Sequence, residues 1–264
     1  GVTAPLMIMK GDGGVTSMDT FRTKPILTVL SGPAASVAGA LLYLKITNGI
    51  FVEVGGTSTN ICIIKNGKPE IRYVTIKNHP TCIRSMDVRV LGVAGGSMVQ
   101  VKSNTVVGVG PRSAHIAGLK YSCYAPMDDL STGEIIFVKP KPNDVEEYVA
   151  IKCKNETYAI TNTCAANALG RIPEGDYSYS DPATAKFALG ILGKKLGMSG
   201  AQAALSIIQN ASFDITNEIT RIIKEFELEK SKVKLVGGGG GASVLVPFVA
   251  EQLQLQYEKA DYAE

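Results

Sequence analysis

The glycine-rich turn Gly55-Gly56-Thr57-Ser58-Thr59 contains the residue types that could bind a phosphate group. It lies between two apolar runs, and an Asn66-Gly67 corner follows the second run, which is a strong signal for a β-hairpin. Two glycines at a hairpin tip let backbone N–H groups converge on an anion, and the adjacent hydroxyls add donors. The turn therefore predicts a phosphate site. An ordinary polar turn is the alternative, because short glycine motifs often occur by chance.

Two polar side chains, Glu53 and Asn60, flank this turn. Glu53 lies two residues before Gly55, so its carboxylate can face the same space as the N–H groups of the turn. A carboxylate beside a polyphosphate is repulsive unless a divalent cation lies between them. We therefore expect Glu53 to hold Mg²⁺ through water, and Asn60 to ligate or hydrogen-bond without adding charge. The alternative is that Glu53 is a surface charge on an edge strand.

A second glycine-only turn, residues 237–241, stands between an apolar run at 233–236 and an apolar helical pattern at 242–253. Five consecutive glycines cost conformational entropy, so we expect a compensating contact. A strand end, a glycine turn and a helix N-terminus together form a surface that a flat ring or a phosphate can approach. A flexible turn is the alternative. The residues predicted to contact such a ligand are Gly237, Gly238, Gly239 and Gly240.

Six motifs, spread in order over most of the chain, resemble those of the hydantoinase A/oxoprolinase family. They are Gly11-Asp12-Gly13-Gly14, Ser31-Gly32-Pro33-Ala34, Glu53-Val54-Gly55-Gly56-Thr57-Ser58-Thr59-Asn60, Gly92-Val93-Ala94-Gly95-Gly96-Ser97, Val109-Gly110-Pro111-Arg112-Ser113-Ala114 and Ala168-Leu169-Gly170-Arg171. The resemblance implies an α/β fold with a mixed sheet flanked by helices, the actin-like ATPase (ribonuclease H-like) domain. It also implies ATP and Mg²⁺ as cofactors, with the adenosine held at the glycine turn 237–240. The reaction it implies is ATP-dependent ring opening of a small cyclic amide such as a hydantoin or 5-oxoproline.

The same resemblance points to candidate substrate residues. Gly95, Gly96 and Ser97 lie in a segment that the family has near its active site, although a bulge or tight turn explains such glycines equally well. Arg112 and His115 are candidates to line the substrate site, with a surface or core position as the alternative for His115.

The sequence also departs from the family pattern. Glu53 and Asn60 each stand where the family has Asp. The segment Thr163-Cys164-Ala165-Ala166 lacks both polar side chains of the family's Thr-Asp-Ala-Asn. These changes leave open an alternative from another class: a nucleotide sensor or assembly subunit with little turnover.

The composition is that of a soluble globular protein. The 264 residues are 45% hydrophobic and 19% charged, enough to bury a substantial core. A net charge of +3 with scattered lysines gives no reason to expect nucleic-acid or membrane partners. The five cysteines show no metal-type spacing, which favours reduced, buried thiols in the cytoplasm. These cysteines are Cys62, Cys82, Cys123, Cys153 and Cys164.

Around the motifs, the patterning predicts one early helix, then a run of strands, and mainly helices in the last third of the chain. The predicted strands are 25–30, 49–54, 59–65, 70–76, 86–91, 97–102 and 105–109, and the predicted helices are 34–45, 183–196, 199–226 and 242–253. The charged, proline-dotted segment 127–155 is predicted to be a small inserted antiparallel β unit on the surface. The nucleotide-binding domain would then comprise residues 1–126 and 156–264.

The chain begins without Met, and nothing before Gly11 matches the family's first phosphate motif. This pattern indicates an excised piece that contains one wall of a nucleotide cleft. We therefore expect the remainder of the same chain, or a partner subunit, to complete the cleft.

Overall fold

The computed structural model describes residues 3–44, 47–76 and 79–260. The chain alternates short strands with eight helices in this described part. The elements are β1 (Met7–Met9), β2 (Val15–Ser17), α1 (Met18–Thr23), α2 (Ser31–Leu44), β3 (Gly49–Val54), β4 (Thr59–Lys65), β5 (Lys68–Pro69), β6 (Ile71–Ile76), β7 (His79–Met86), β8 (Val88–Leu91), β9 (Ser97–Lys102), β10 (Thr105–Ser113), α3 (Ala114–Ala117), β11 (Lys120–Tyr121), α4 (Met127–Leu130), β12 (Glu134–Val138), β13 (Tyr148–Lys152), β14 (Thr157–Ala159), α5 (Asn162–Ala168), α6 (Pro182–Leu196), α7 (Gly200–Glu225), β15 (Lys234–Gly238), α8 (Ala242–Leu253) and β16 (Gln256–Lys259). Within the described residues, no helix has the length and apolar character needed to cross a membrane.

The first large sheet has the order β16-β15-β3-β4, and both β5 and β8 pair with β4. Strands β3, β15 and β16 are parallel, whereas β4 runs antiparallel to β3, β5 and β8. Alternation along β3 sends Ile50 and Val52 into the main core with α8, and Phe51 into a second core with Val37 of α2. The predicted mixed sheet flanked by helices is therefore confirmed.

The hairpin between β3 and β4 is also confirmed, because Val54 pairs with Thr59 across the turn 55–58. The next corner, Asn66-Gly67, joins β4 to β5 with positive φ at both positions, as a tight two-residue hairpin turn requires.

Two of the predicted strands differ in the structure. Strand β6, predicted to continue from the Asn66-Gly67 corner, pairs with β7 in a separate two-stranded ribbon. The predicted strand at 25–30 is wrong, because Pro25–Thr28 forms a 3₁₀ turn and Leu30 has φ 60°. Pro25 stands at the first position of that turn, where its ring favours a helical start over a strand.

The second large sheet has the order β10-β9-β13-β14-β11, with β12 on β13. Strands β12 and β13 form an antiparallel pair, but β13 also pairs with β14 and, at one position, with β9. Leu130, Val149 and Ile151 belong to the main core. The structure thus corrects the prediction that 127–155 is a separate surface unit. The charged and proline-rich composition belongs to the connection 139–147 between β12 and β13.

Helices α5, α6 and α7 pack on one another, and α7 also packs on α8 and β10. The predicted helix 183–196 is confirmed as α6: Asp181 caps its first turn, Pro182 occupies the first position, and Gly197 ends it in the left-handed region. Ser199 and Gln202 form a reciprocal capping box at the start of α7. The apolar face of α7 is buried, and it includes Ile207, Ile208, Ile215, Ile219 and Ile222.

Candidate functional site

A cavity of about 810 Å³ opens beside the carboxyl ends of the parallel strands β3 and β15, where the two predicted glycine turns meet. In open α/β sheets such a strand edge is the usual position of a ligand site. The cavity is lined by Gly55, Gly56, Gly95, Gly96, His115, Leu119, Lys120, Tyr121, Tyr124, Thr163, Tyr177, Ser178, Gly240 and Gly241.

Backbone hydrogen bonds tie together three turns that are distant in the sequence. The N–H of Gly241 donates to the carbonyl of Val54 at 2.8 Å. The N–H groups of Gly95 and Gly96 donate to the carbonyls of Gly55 and Gly56 at 3.1 and 3.0 Å. A Cβ on Gly96 would overlap both the Gly56 carbonyl and the nearby Tyr121 hydroxyl, so this approach of two main chains requires glycine.

The turn at the tip of the β3–β4 hairpin keeps several donors unused. The Gly55 N–H bonds to the Ser58 carbonyl at 3.1 Å and closes the turn. The N–H groups of Gly56, Thr57 and Ser58 have no acceptor within the part of the chain that the structure describes. Consecutive unpaired N–H groups in a turn form a concave donor set that suits an anion.

The five-glycine run is held mainly by internal contacts. A Cβ on Gly237 would lie 2.9 Å from the Tyr257 ring, and one on Gly239, whose φ is 81°, would lie 2.6 Å from the Val54 carbonyl. Gly238 is the last residue of β15 and pairs with Glu53. The compensating contact that we expected from a ligand is thus supplied by the protein at Gly237 and Gly239. Of the predicted adenosine residues, only Gly240 lines the cavity.

The Glu53 carboxylate lies between β3, β4 and α2. The Ser36 hydroxyl donates to Oε1 at 2.5 Å, and the Asn60 amide donates to Oε2 at 2.8 Å. Glu53 and Asn60 do not line the cavity. Among residues 3–44, 47–76 and 79–260, no group of three or more His, Cys, Asp or Glu side chains could hold a metal ion. A metal at Glu53 would therefore depend on ligands such as phosphate oxygens and water, which Mg²⁺ commonly uses.

The predicted substrate residues separate into two groups. Gly95, Gly96 and His115 line the cavity. Ser97 is fully buried, and its hydroxyl accepts from the Ala94 N–H at 2.8 Å, so it closes the glycine turn instead of facing a ligand.

Arg112 and Thr57 also point elsewhere. Arg112 makes two 2.7 Å hydrogen bonds to Asp144, and this bidentate pair lowers the pKa of Asp144 below its ordinary value. The Thr57 hydroxyl lies 3.0 Å from that of Ser113. Both side chains therefore support neighbouring segments, and neither lines the cavity.

Aromatic and polar residues that the sequence motifs did not identify form the remaining wall. The rings of Tyr121 and Tyr124 are stacked with centroids 6.0 Å apart, and Tyr177 lies over Gly240. Burial raises the pKa of Tyr121 to about 12, so its phenol stays neutral and can donate a hydrogen bond. The Thr163 hydroxyl donates to the Gly95 carbonyl at 3.0 Å. The three tyrosines share no fixed spacing, which is why no motif indicated them.

Comparisons with known proteins identify relatives that match almost the whole of this chain. The chain is 24% identical over 259 residues to the caprolactamase subunit alpha of Pseudomonas jessenii, covering 96% of this chain and 33% of that protein. Among solved structures, the ATP-dependent caprolactamase from Pseudomonas jessenii superimposes with a TM-score of 0.68 at 23% identity, over 99% of this chain and 35% of that one. The nucleotide-free structure of acetone carboxylase, from work on ATP-dependent acetone carboxylation, gives a TM-score of 0.68 at 19% identity. The match covers 95% of this chain and 32% of that one.

The chain thus spans about a third of the length of these relatives. Their shared architecture is consistent with the predicted actin-like ATPase fold. The family described as hydantoinase/oxoprolinase matches residues 1–260, and the chain therefore belongs to that family.

Proposed function

We propose that this chain is the nucleotide-binding portion of an ATP-dependent enzyme that opens a small cyclic amide. The meeting of two glycine turns at one cavity supports this proposal most directly. Gly55 and Gly56 line the cavity from the β3–β4 turn, in which the N–H groups of residues 56–58 are unpaired, and Gly240 and Gly241 line it from the end of β15. This arrangement suits a ligand with a phosphate chain at one end and a flat ring at the other.

In this proposal the chain's own residues contribute binding and orientation. The N–H groups of Gly56, Thr57 and Ser58 hold phosphate oxygens, while the glycines at 240 and 241 let the nucleoside approach the backbone. Phosphoryl transfer depends mostly on such positioning and on electrostatic stabilisation. Transfer of the γ-phosphate to the amide oxygen would leave the ring carbon open to attack by water.

Mg²⁺ would supply charge neutralisation between the phosphates. Glu53 is the carboxylate that we propose for it, with Asn60 beside it on β4. Both Glu53 oxygens already accept one hydrogen bond, and each retains a further lone pair. A single protein carboxylate with phosphates and water is a common Mg²⁺ arrangement.

We also propose that a second wall of the cleft comes from the remainder of the same polypeptide or from a partner subunit. One relative carries the designation subunit alpha, and this chain covers a third of its length. A cytoplasmic location belongs to the same proposal, because all five cysteines are unpaired and four of them are buried.

A low-turnover nucleotide sensor or assembly subunit is the second candidate. It draws support from the two positions at which the family motif has Asp. Glu53 keeps the negative charge at the first position, whereas Asn60 has no charge at the second.

ATP hydrolysis by the assembled protein, measured with and without cyclic amides, separates the two candidates. We expect hydantoin, 5-oxoproline or a related lactam to accelerate phosphate release and to be opened in stoichiometric amounts. ATP binding with hydrolysis that no cyclic amide accelerates would favour the sensor. Absence of ATP binding would contradict both.

A further inference from the structure

Tyr177 is an exposed aromatic residue on the wall of the cavity. Its side chain is 72% exposed, although it belongs to a loop whose neighbouring residues are firmly held. A Cβ on Gly240 would lie 2.6 Å from Cδ1 of Tyr177, so only glycine allows the ring to take this position. The Tyr177 hydroxyl makes no hydrogen bond to any residue that the structure describes.

The residue before Tyr177 anchors the loop. One Asp176 oxygen accepts from the Ser243 hydroxyl at 2.6 Å and from the Lys259 ammonium at 2.7 Å. The other accepts from the Ser178 N–H and hydroxyl at 3.0 and 2.7 Å. The Asp176 side chain is only 5% exposed. These contacts connect the loop to the start of α8 and to β16.

The residue after Tyr177 is held from the other side. The Ser178 carbonyl accepts from the Tyr124 hydroxyl at 3.0 Å and from the Asn167 amide at 2.8 Å. The backbone on both sides of Tyr177 is thus fixed, while its ring stays uncovered. An aromatic ring on a fixed backbone loses little entropy when a flat ligand stacks on it, so this position suits base stacking.

We propose that Tyr177 stacks on the nucleobase of the bound nucleotide, and that Asp176 is the positioning residue that holds the loop for it. This inference rests on the proposed function, since it identifies the base-recognition wall of the same cavity. Gly240 forms the floor beneath the ring, and Tyr121 and Tyr124 lie on the same cavity.

The chain contains no tryptophan, which permits a direct optical test. Tyr177→Trp places the only tryptophan of the chain at the proposed stacking position, where its emission can be excited apart from that of the tyrosines. We expect ATP and adenosine to quench its emission in the 264-residue chain at millimolar concentration. Inorganic tripolyphosphate, which lacks a base, should leave the emission unchanged. Tyr73→Trp is the matched control, because Tyr73 is 65% exposed on β6 and does not line the cavity.

Affinity measurements on Tyr177→Ala and Tyr177→Phe give the second readout. We expect the alanine variant to bind ATP about tenfold more weakly and tripolyphosphate as tightly as the parent chain. The phenylalanine variant should bind ATP normally, because the ring and not the hydroxyl makes the contact. Unchanged ATP affinity in Tyr177→Ala would overturn the inference, as would equal losses for both ligands. Quenching by a lactam but not by ATP would also overturn it.

Asp176→Asn tests the positioning role. The amide keeps the shape of the carboxylate but loses the ion pair with Lys259. Combined with Tyr177→Trp, this substitution should lower the fluorescence anisotropy. It should also weaken ATP binding while tripolyphosphate binding is retained. Asp19→Asn, at an exposed position in α1, is the control. Unchanged anisotropy and ATP affinity in Asp176→Asn would overturn the role of Asp176. If the parent chain bound neither ATP nor tripolyphosphate, the proposed function itself would fall, and this inference with it.

Discussion

The N–H of Gly241 donates a 2.8 Å hydrogen bond to the carbonyl of Val54, and this contact joins the glycine turn after β15 to the hairpin after β3. A Cβ at position 241 would lie 2.9 Å from both the Gly55 carbonyl oxygen and Cγ1 of Val54. The two turns are therefore held at a distance that only glycine allows.

Gly241→Ala should force these turns apart. We expect it to lower the free energy of unfolding by about 1–3 kcal/mol, as overpacking typically does, and to weaken ATP binding. Urea unfolding and nucleotide titration measure the two effects. Gly190→Ala is the control: a Cβ there meets nothing within 4 Å, and alanine in the middle of α6 should stabilise the protein by roughly 0.5–1 kcal/mol. If the two variants had the same free energy of unfolding and the same ATP affinity, the close contact at Gly241 would contribute to neither.

Glu53→Gln should weaken ATP binding in the assembled protein when Mg²⁺ is present. In EDTA the loss should be much smaller or reversed, because removing a carboxylate near the phosphates then relieves repulsion. Titrations of both variants under both conditions measure the difference. Glu134→Gln, at an exposed position on β12, is the control.

Ser36→Ala separates the metal role of Glu53 from a structural one. It removes the 2.5 Å hydrogen bond to Glu53 and leaves the carboxylate in place. We expect ATP binding in this variant to stay Mg²⁺-dependent. If Glu53→Gln lost the same ATP affinity with Mg²⁺ and with EDTA, the carboxylate would not bind a metal. Its role would then be to hold α2 against the sheet.

Residues 1–264 alone should bind ATP weakly and hydrolyse it no faster than a buffer blank. The reason is that the proposed cleft has two walls, and this chain supplies one of them. Phosphate release over several hours, with enzyme-free and heat-denatured samples beside it, provides the measurement. Robust turnover by this chain alone would show that the proposed division of the cleft is wrong.

Acid should remove the contribution of Asp176 to stability. Burial disfavours its charge, but hydrogen bonds from Lys259, Ser243 and Ser178 outweigh burial and lower the pKa of Asp176 to about 2, against 3.8 without these contacts. A carboxyl group with a depressed folded-state pKa stabilises the protein above the unfolded-state pKa and loses this effect as the pH falls. The expected contribution is about 2 kcal/mol.

Comparison of the parent chain with Asp176→Asn tests this pH dependence. The difference in unfolding free energy should be largest at pH 5–7 and should shrink as the pH falls from about 4 to about 2. A difference that stays constant across this range would mean that hydrogen-bond geometry, and not ionisation, accounts for the effect.

One thiol should react rapidly in the native protein. Cys82 is exposed, whereas the other four cysteines are buried. Burial, together with the charges of Asp87 and Glu70, raises the pKa of Cys62 to about 12 and removes its reactive thiolate. A thiol reagent at pH 8 should therefore modify one equivalent quickly and five after unfolding. Cys82→Ser should abolish the fast phase, and a second fast equivalent would contradict the buried positions.

The site residues show what sequence reasoning could not reach. Both glycine turns were identified from the local sequence, and positive φ at Gly239 and close backbone approach at Gly241 do restrict the residue type there. The direction of a polar side chain has no such local signature. Arg112 pairs with Asp144, and Ser97 closes its own turn, so neither lines the cavity that their motifs had suggested.

The sequence by itself determined the hairpin from β3 to β4, the capped ends of α6 and α7, and the two glycine turns, since turn chemistry, caps and hydrophobic periodicity act over a few residues. Only the tertiary structure decided that β12 and β13 belong to the second sheet, because strand pairing joins distant segments whose composition does not reveal their partners. It also decided that Tyr177 faces Gly240. That contact depends on Asp176 meeting Ser243 and Lys259, which lie 67 and 83 positions further along the chain.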